Sequence, residues 1–171
     1  MYTIKIRKFR KRDIPLLEAL AEHAFESNSD KYWSIMGALR APHTLVAEID
    51  NKIVGAIEFE AYRLPHSIEG HIWYIFVHPD FQRRGIGTNL LRKAEAIMER
   101  EGALRFWALT GEENIKTQKF FEKNGYERIT IQEMKRLLGG GGAKRLLRRM
   151  VYWEGDVIYC KRSKKEKYGN N

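Results

Sequence analysis

The order of strand-like and helix-like segments predicts an α/β (α+β) fold around a mixed, mostly antiparallel sheet. Three consecutive strand-like segments joined by short turns argue for antiparallel pairing, and a strand–helix–strand unit from His71 to Leu109 argues for one parallel crossover. The chain of 171 residues, 43% apolar and 12% aromatic, has enough material for one ordinary core and is unlike a disordered protein.

The elements follow from periodicity. Tyr2–Phe9 alternates Ile4 and Ile6 with Lys5 and Arg7 and reads as a strand. Asp13 precedes Leu16, Leu17, Leu20, Ala21 and Phe25 at helical spacing, and a second helix is expected over Tyr32–Leu39, stopping before Pro42. Thr44–Ile49 and Ile53–Leu64 are strands joined by the turn Asp50-Asn51-Lys52. His71–Val77 is a strand rich in aromatic and β-branched residues. From Gly87 to Arg100 the period lengthens: Leu90, Leu91, Ala94, Ile97 and Met98 share a helical face, with Gly102 as the stop. Leu104–Leu109 is a strand, and Thr110 with Glu113 has the form of a capping box opening a helix through Phe121 that Asn124-Gly125 ends. Tyr126–Ile131 and Val151–Cys160 are the last strands. Between them, 132–149 holds four consecutive glycines, Gly139–Gly142, flanked by Lys135-Arg136-Leu137-Leu138 and Lys144-Arg145-Leu146-Leu147. Two short amphipathic turns around a flexible hinge are expected there. One domain over 1–163, with 132–149 as an insertion and 164–171 as a flexible basic tail, is the expected organisation.

Composition excludes several classes. Charged residues interrupt every early apolar run, so no signal peptide is expected, and no run approaches the roughly 18–20 residues that span a bilayer. The single cysteine, Cys160, excludes an internal disulfide, and five scattered histidines have no ligand-like spacing, so no metal is expected. A cytoplasmic protein is the default. The net charge of +9 is uneven: residues 1–132 carry 20 Lys/Arg against 18 Asp/Glu, and residues 133–171 carry 11 against 4. A basic C-terminal part can attract nucleic acid or other anions, or can be a solvated face.

The stretch from Val77 to Leu91 sets Gln82-Arg83-Arg84-Gly85-Ile86-Gly87 between a strand and a helix. Amides that open a helix have no carbonyl partner, and the helix dipole adds partial positive charge, so such a turn can hold an anion. Gly85 and Gly87 remove β-carbons that would block approach, and Arg83 and Arg84 add charge. The Lys-Ser/Thr ending of a Walker loop is missing, and the third glycine of the dinucleotide fingerprint would fall at Leu90. On its own, Gly-x-Gly more often marks a simple strand-to-helix turn.

The wider stretch Val77-His78-Pro79-Asp80-Phe81-Gln82-Arg83-Arg84-Gly85-Ile86-Gly87 resembles the acetyl-CoA motif of the GNAT superfamily of N-acetyltransferases, Val-x-Pro-x-x-Gln/Arg-x-x-Gly-x-Gly/Ala. A second segment, Asn114 through Lys119-Phe120-Phe121-Glu122-Lys123-Asn124-Gly125-Tyr126, is similar to the family's next motif, in register with the first. The resemblance covers about residues 2–131 and the last strand, and implies a central sheet of about seven strands flanked by about four helices. It implies acetyl-CoA as cosubstrate, with Gln82, Arg83, Arg84, Gly85, Ile86, Gly87 and Thr88 around the pyrophosphate. Ile75, Phe76 and Val77 would offer main-chain groups to pantetheine and the thioester carbonyl, and Asn114 would reach the cofactor from the next helix.

Acetyl transfer to an amine requires a proton acceptor. The resemblance places His71 at one of the family's base positions, where a histidine titrates near neutrality; a strand-end histidine facing solvent is the alternative. The other base position, five residues before Asn114, is Leu109, which takes no proton. Glu58 and Glu60 share a strand face and could bind or deprotonate a cationic acceptor, or simply be a solvated face. The family's general-acid tyrosine is replaced by Phe121, expected beside the pantetheine arm. The implied activity is acetyl-CoA-dependent N-acetylation of a small amine, a protein lysine or an N-terminus. The alternative is a non-catalytic acyl-CoA-binding or basic nucleic-acid-binding module. A homodimer is compatible with this reading, nucleic acid is the less favoured partner, and no membrane is implied.

Overall fold

Alternating and helical periodicities resolve into seven strands and six helices among the described residues of the computed structural model, which covers residues 3–168. Tyr2, expected to open the first strand, lies outside them, as do 169–171 of the expected tail. The chain expected to form one domain divides by its contacts into two compact units, 1–60 with 73–96, and 61–72 with 97–171.

The first unit opens with β1 (Lys5–Lys8), α1 (Ile14–Ala24) and α2 (Asn28–Arg40), followed by β2 (His43–Ile49). It continues with β3 (Lys52–Arg63) up to Glu60, β4 (Ile68–Val77) from Trp73, and α3 (Ile86–Arg100) up to Ala96. The β2–β3 hairpin closes through Asp50 and Asn51, both at positive φ (48° and 62°), the conformation the twist of a tight hairpin requires. Leu17, Leu20, Ala38, Val46, Ala56 and Phe76 bury their side chains in one cluster. Asp13 does not cap α1 with its side chain. Its carboxylate instead accepts from Arg7 on β1 at 2.6 and 3.0 Å, while Arg7 Nε donates to Glu48 on β2 at 2.7 Å. The guanidinium holds the Asp13 carboxyl below its usual range. Helix α2 starts four residues before the expected Tyr32, because Ser27 Oγ accepts from the Asp30 amide and so caps a polar first turn.

The second unit contains β5 (Arg105–Thr110), α4 (Ile115–Lys123), β6 (Glu127–Ile129), α5 (Ile131–Met150), β7 (Val157–Arg162) and α6 (Lys164–Tyr168). The sheet order is β1-β2-β3-β4-β5-β7-β6. β4 pairs with β5 in parallel; the β1–β2, β2–β3, β5–β7 and β6–β7 pairs are antiparallel, so the expected mixed sheet is present. Trp107 on β5 packs with Met134, Ala143, Leu146, Met150, Ile158 and Cys160. Beside it, Glu69 is fully buried. It accepts from Arg105 at 2.6 and 3.1 Å and from Trp107 Nε1 at 2.7 Å, and Arg105 reaches on to Glu166 of α6 at 2.6 Å.

Several expectations are corrected in this unit. Thr110 caps nothing: it is the last residue of β5, paired with Val157, and the helix cap is Asn114, whose Oδ1 accepts from the Thr117 amide at 3.1 Å. The last strand begins at Val157 rather than Val151, since Val151 leaves α5 in the left-handed region (φ 57°). The segment 132–149 lies within α5, two helical stretches that meet at a kink at Gly139, so the expected pair of amphipathic pieces around a hinge is present, each longer than a single turn; a true capping box between Thr130 and Glu133 opens the first. Two helices exceed the expected four: α5, and α6 at the start of the expected tail.

The hinge is real but confined to one residue. Gly139 has φ 71° and ψ 160°, open almost only to glycine, whereas its three successors continue as helix. Replacing Gly139 with Ala is therefore expected to destabilise by about 1–3 kcal/mol. Gly141→Ala, in helix with open space where its β-carbon would stand, should instead stabilise by about 0.5–1 kcal/mol. Chemical denaturation of both variants checks this; equal effects would show that the break is not at Gly139.

Candidate active site

In the first unit, the turn between β4 and α3 has the shape its sequence demands. Pro79–Phe81 makes one short helical turn, begun by the His78 ring, whose Nδ1 accepts from the Asp80 amide at 3.2 Å. Gln82 folds its amide back to the Val77 carbonyl at 2.9 Å, tying the loop to the strand end. Arg83 (φ 59°) and Gly85 (φ 78°) both have positive φ, the left-handed backbone from which anion-binding nests are built. Hydrogen bonding in α3 starts at Asn89, whose N–H donates to the Gly85 carbonyl at 2.9 Å. The amides of Ile86, Gly87 and Thr88 precede it and have no helical carbonyl to meet. Arg84 stacks its guanidinium over the Phe81 ring at 5.3 Å, while Arg83 stays exposed.

What fixes this helix start is a glycine in the neighbouring strand. A β-carbon on Gly55 would stand 3.1 Å from Ile86 and from Leu90, so α3 sits against bare backbone of β3. Ile86 is thereby buried, and Gly87 and Thr88 remain partly accessible. At the strand end, Phe76 is buried in the unit's core, while Ile75 and Val77 are half-buried.

The face of β3 carrying Glu58 and Glu60 is not solvated. Both are buried. Glu60 accepts from Trp73 Nε1 at 3.0 Å. Neither oxygen of Glu58 has a hydrogen-bond partner among the described residues, and burial pushes its pKa up from 4.5 to about 9. The carboxyl lies against Gly37 of α2, where any β-carbon would collide with it. Tyr74 belongs to the same neighbourhood. Its hydroxyl contacts Asp30 Oδ1 at 3.4 Å, and burial with the nearby Asp30 and Glu58 pushes its pKa up to about 12. Sequence reading missed Tyr74 and Asp30, because their proximity depends on how α2 packs; the Ser27 cap was the available signal.

The remaining candidates lie in the second unit. His71 is buried and pairs in the parallel ladder with Trp107, so the solvent-facing alternative does not hold. Asn114 is exposed and commits its amide oxygen to the cap, leaving its NH₂ as the group available to a ligand. Phe121, expected beside the cofactor arm, is 2% exposed, with Tyr126 at 5.1 Å and Tyr159 at 5.8 Å between ring centroids. Among the described residues no group of three or more His, Cys, Asp or Glu could hold a metal, and no helix is long and apolar enough to cross a membrane.

Because Glu58 binds its proton more tightly when folded, its contribution to stability is greatest in acid. It is lost as pH rises from about 4.5 to about 9. Glu58→Gln, a neutral near-isostere, should remove that slope and leave the variant the more stable form at alkaline pH. Urea midpoints at about pH 5 and pH 9 measure it; parallel pH profiles for both proteins would show that Glu58 is ionised at neutral pH.

Comparison with known proteins gives a consistent result. The model of the Acetyltransferase (GNAT) family matches residues 14–126. A protein named an acetyltransferase from Pectobacterium atrosepticum is 31% identical over 87 residues, 50% of this chain and 57% of its own length. The chain thus matches little more than half of that relative. The PaiA N-acetyltransferase of Thermoplasma acidophilum, solved in complex with coenzyme A, is similar with a TM-score of 0.70 at 18% identity, over 94% of this chain and 99% of that one. The ribosomal-protein-S18-alanine N-acetyltransferase of Escherichia coli is similar with a TM-score of 0.66 at 18% identity, over 94% of each chain. At such identities the likeness to the solved structures is one of fold.

Proposed function

The chain belongs to the GNAT acetyltransferase family, and on that premise we propose that it transfers the acetyl group of acetyl-CoA to a primary amine. The observation that carries the cosubstrate is the turn at 82–88, with two left-handed residues and three helix-opening amides. A pyrophosphate meets those donors, and Arg83 adds charge. The coenzyme A complex of the Thermoplasma protein supports the same cosubstrate here. The half-buried end of β4 at Ile75–Val77 offers main-chain groups to the pantetheine and to the thioester oxygen. The family motif assigns Asn114 to the cofactor as well, and its NH₂ is the group left for that role.

In the reaction the amine nitrogen attacks the thioester carbonyl carbon, the C–S bond breaks, and the sulfur leaves as thiolate. The attacking nitrogen gives up one proton. His71 takes it, directly or through water. Glu58 holds its own proton at neutral pH and becomes an acceptor only as the pH nears about 9. Phe121 gives no proton, so the thiolate leaves without the family's tyrosine; a thiol titrating near 8.5 is a tolerable leaving group. The acceptor is a small amine, a protein lysine or a protein N-terminus, and the Asp30 carboxylate beside the Tyr74 hydroxyl suits a cation. A non-catalytic acyl-CoA-binding or basic nucleic-acid-binding module is the second reading, favoured by Phe121 and by the basic segment 133–171.

Two measurements test these roles. Gly87→Glu puts a carboxylate where the pyrophosphate should sit, so acetyl-CoA binding measured by calorimetry should be lost while the melting curve persists; unchanged affinity would remove the turn from the site. Thiol release from acetyl-CoA with a panel of amines, followed against pH, addresses the base. If His71 is the acceptor, the rate rises through an imidazole-like pKa and His71→Ala lowers kcat by about 10²–10⁴-fold, with KM for acetyl-CoA little changed. A limb near pH 9 that Glu58→Gln abolishes would assign the base to Glu58 instead. No release with any amine would favour the binding module.

A further inference from the structure

The helix α5 has no part in the proposed transfer, yet it carries an open groove of about 750 Å³. Its lining combines apolar Leu147, Tyr152 and Trp153 with basic Lys135, Lys144 and Arg148, and includes no acidic residue. None of these three cations makes an ion pair among the described residues, and all are exposed. Of the nearby acids, Glu133 sits in the helix cap and Asp156 accepts from the Trp153 amide at 2.8 Å, while Glu154, next to Trp153 in sequence, is exposed. Lys144 and Arg148 are four residues apart on one helical face, about 6 Å along the axis. That is close to the spacing of phosphates along a single strand.

Two features set the groove apart from an ordinary solvated face. Trp153 is 72% exposed and Val151 64%, large apolar groups left at an open edge. Val151 also occupies the left-handed position that ends the helix, with Tyr152 N–H bonding back to the Leu147 carbonyl at 3.0 Å. Glycine is the favoured residue there, and a β-branched side chain in that conformation is strained. The strained side chain faces a groove and not the core. At the other end Gly140 lines the groove with nothing within 4 Å of where its β-carbon would be, so a ligand can approach backbone.

We propose that this groove binds single-stranded nucleic acid, with phosphates on Lys135, Lys144 and Arg148 and a base stacked on Trp153. Charge complementarity selects an anion, and the excess of 11 basic over 4 acidic residues across 133–171 disfavours a second copy of this basic chain as the occupant. The lining is largely helical, so its backbone hydrogen bonds are already spent, which disfavours an extended acidic peptide seeking main-chain partners. Stacking and phosphate contact need no such partners. A duplex hides its base faces and loses the stacking contribution.

The test uses the full chain and fluorescent oligonucleotides of about ten nucleotides, DNA and RNA, followed by anisotropy as salt is raised. Binding should weaken with salt with a log–log slope near about −2, from about three phosphates. Trp153→Ala should weaken it about ten- to hundred-fold, and Lys144→Glu with Arg148→Glu at least as much. Lys164→Glu with Lys165→Glu, an equal charge change outside the groove, should cost far less. Thermal melts and thiol release are expected to be unchanged in all three variants. The proposal is overturned by absence of binding at low salt, by equal losses inside and outside the groove, or by duplex binding as tightly as single strands. Tighter, Trp153-dependent binding of an acidic peptide or of anionic vesicles would likewise overturn it.

Discussion

A carboxylate carried into the interior of a sheet must be paired with a cation, hydrogen-bonded, or protonated, since the bare anion loses more solvation than packing can return. β3 and β4 show all three solutions. Glu69 is enclosed by Arg105 and the Trp107 indole. Glu60 accepts from Trp73. Glu58 has no hydrogen-bond partner among the described residues and keeps its proton. Each solution constrains its surroundings. Glu69 fixes the Arg105 guanidinium, which in turn holds Glu166 and so seats α6. Glu58 requires bare backbone opposite, which is why α2 carries Gly37 at that point despite the helix propensity it gives up.

The same logic of bare backbone builds the turn proposed to hold the pyrophosphate. Gly55 lets α3 settle onto β3, and the buried side chain of Ile86 anchors the first helical residue there. With the helix start fixed, the unbonded amides of Ile86, Gly87 and Thr88 are fixed as well, and need no reorganisation to receive charge. The left-handed Arg83 is a strain that its setting must hold in place. The Gln82 amide on the Val77 carbonyl and the Arg84–Phe81 stack do so from either side.

How much of this was legible depended on the range of the interaction concerned. The β2–β3 turn, the amphipathic α3 and the Gly-x-Gly turn are local, and the residues that make them are adjacent in sequence. Where two local signals competed, only tertiary pairing decided. Thr110 had the form of a cap but is held by Val157 in the ladder, and the cap passed to Asn114. The run Gly139–Gly142 suggested a loose hinge. Burial of Met134, Ala143 and Leu146 against Trp107 keeps three of those glycines helical and leaves the break to Gly139. Exposure of the Glu58–Glu60 face was misjudged for a related reason: alternation shows that two residues share a face, not what covers it. His71 shared that limit, and Phe121 was placed by motif alone, without the aromatic neighbours that Tyr126 and Tyr159 supply.

The two anion sites proposed above differ in the physics they would use, and that difference keeps them separable. The turn at 82–88 lies in a part of the chain that is nearly neutral, with 20 basic against 18 acidic residues over 1–132. Its attraction comes mostly from fixed amides, which act over a few ångströms and whose hydrogen bonds mobile ions screen little. The α5 groove has no such array of fixed donors and draws on net charge, which acts over a Debye length and is screened by salt within it. Raising ionic strength therefore strips the groove before the turn. A phosphorylated ligand that survives high salt belongs to the amides of α3, and one that does not belongs to the lysines of α5.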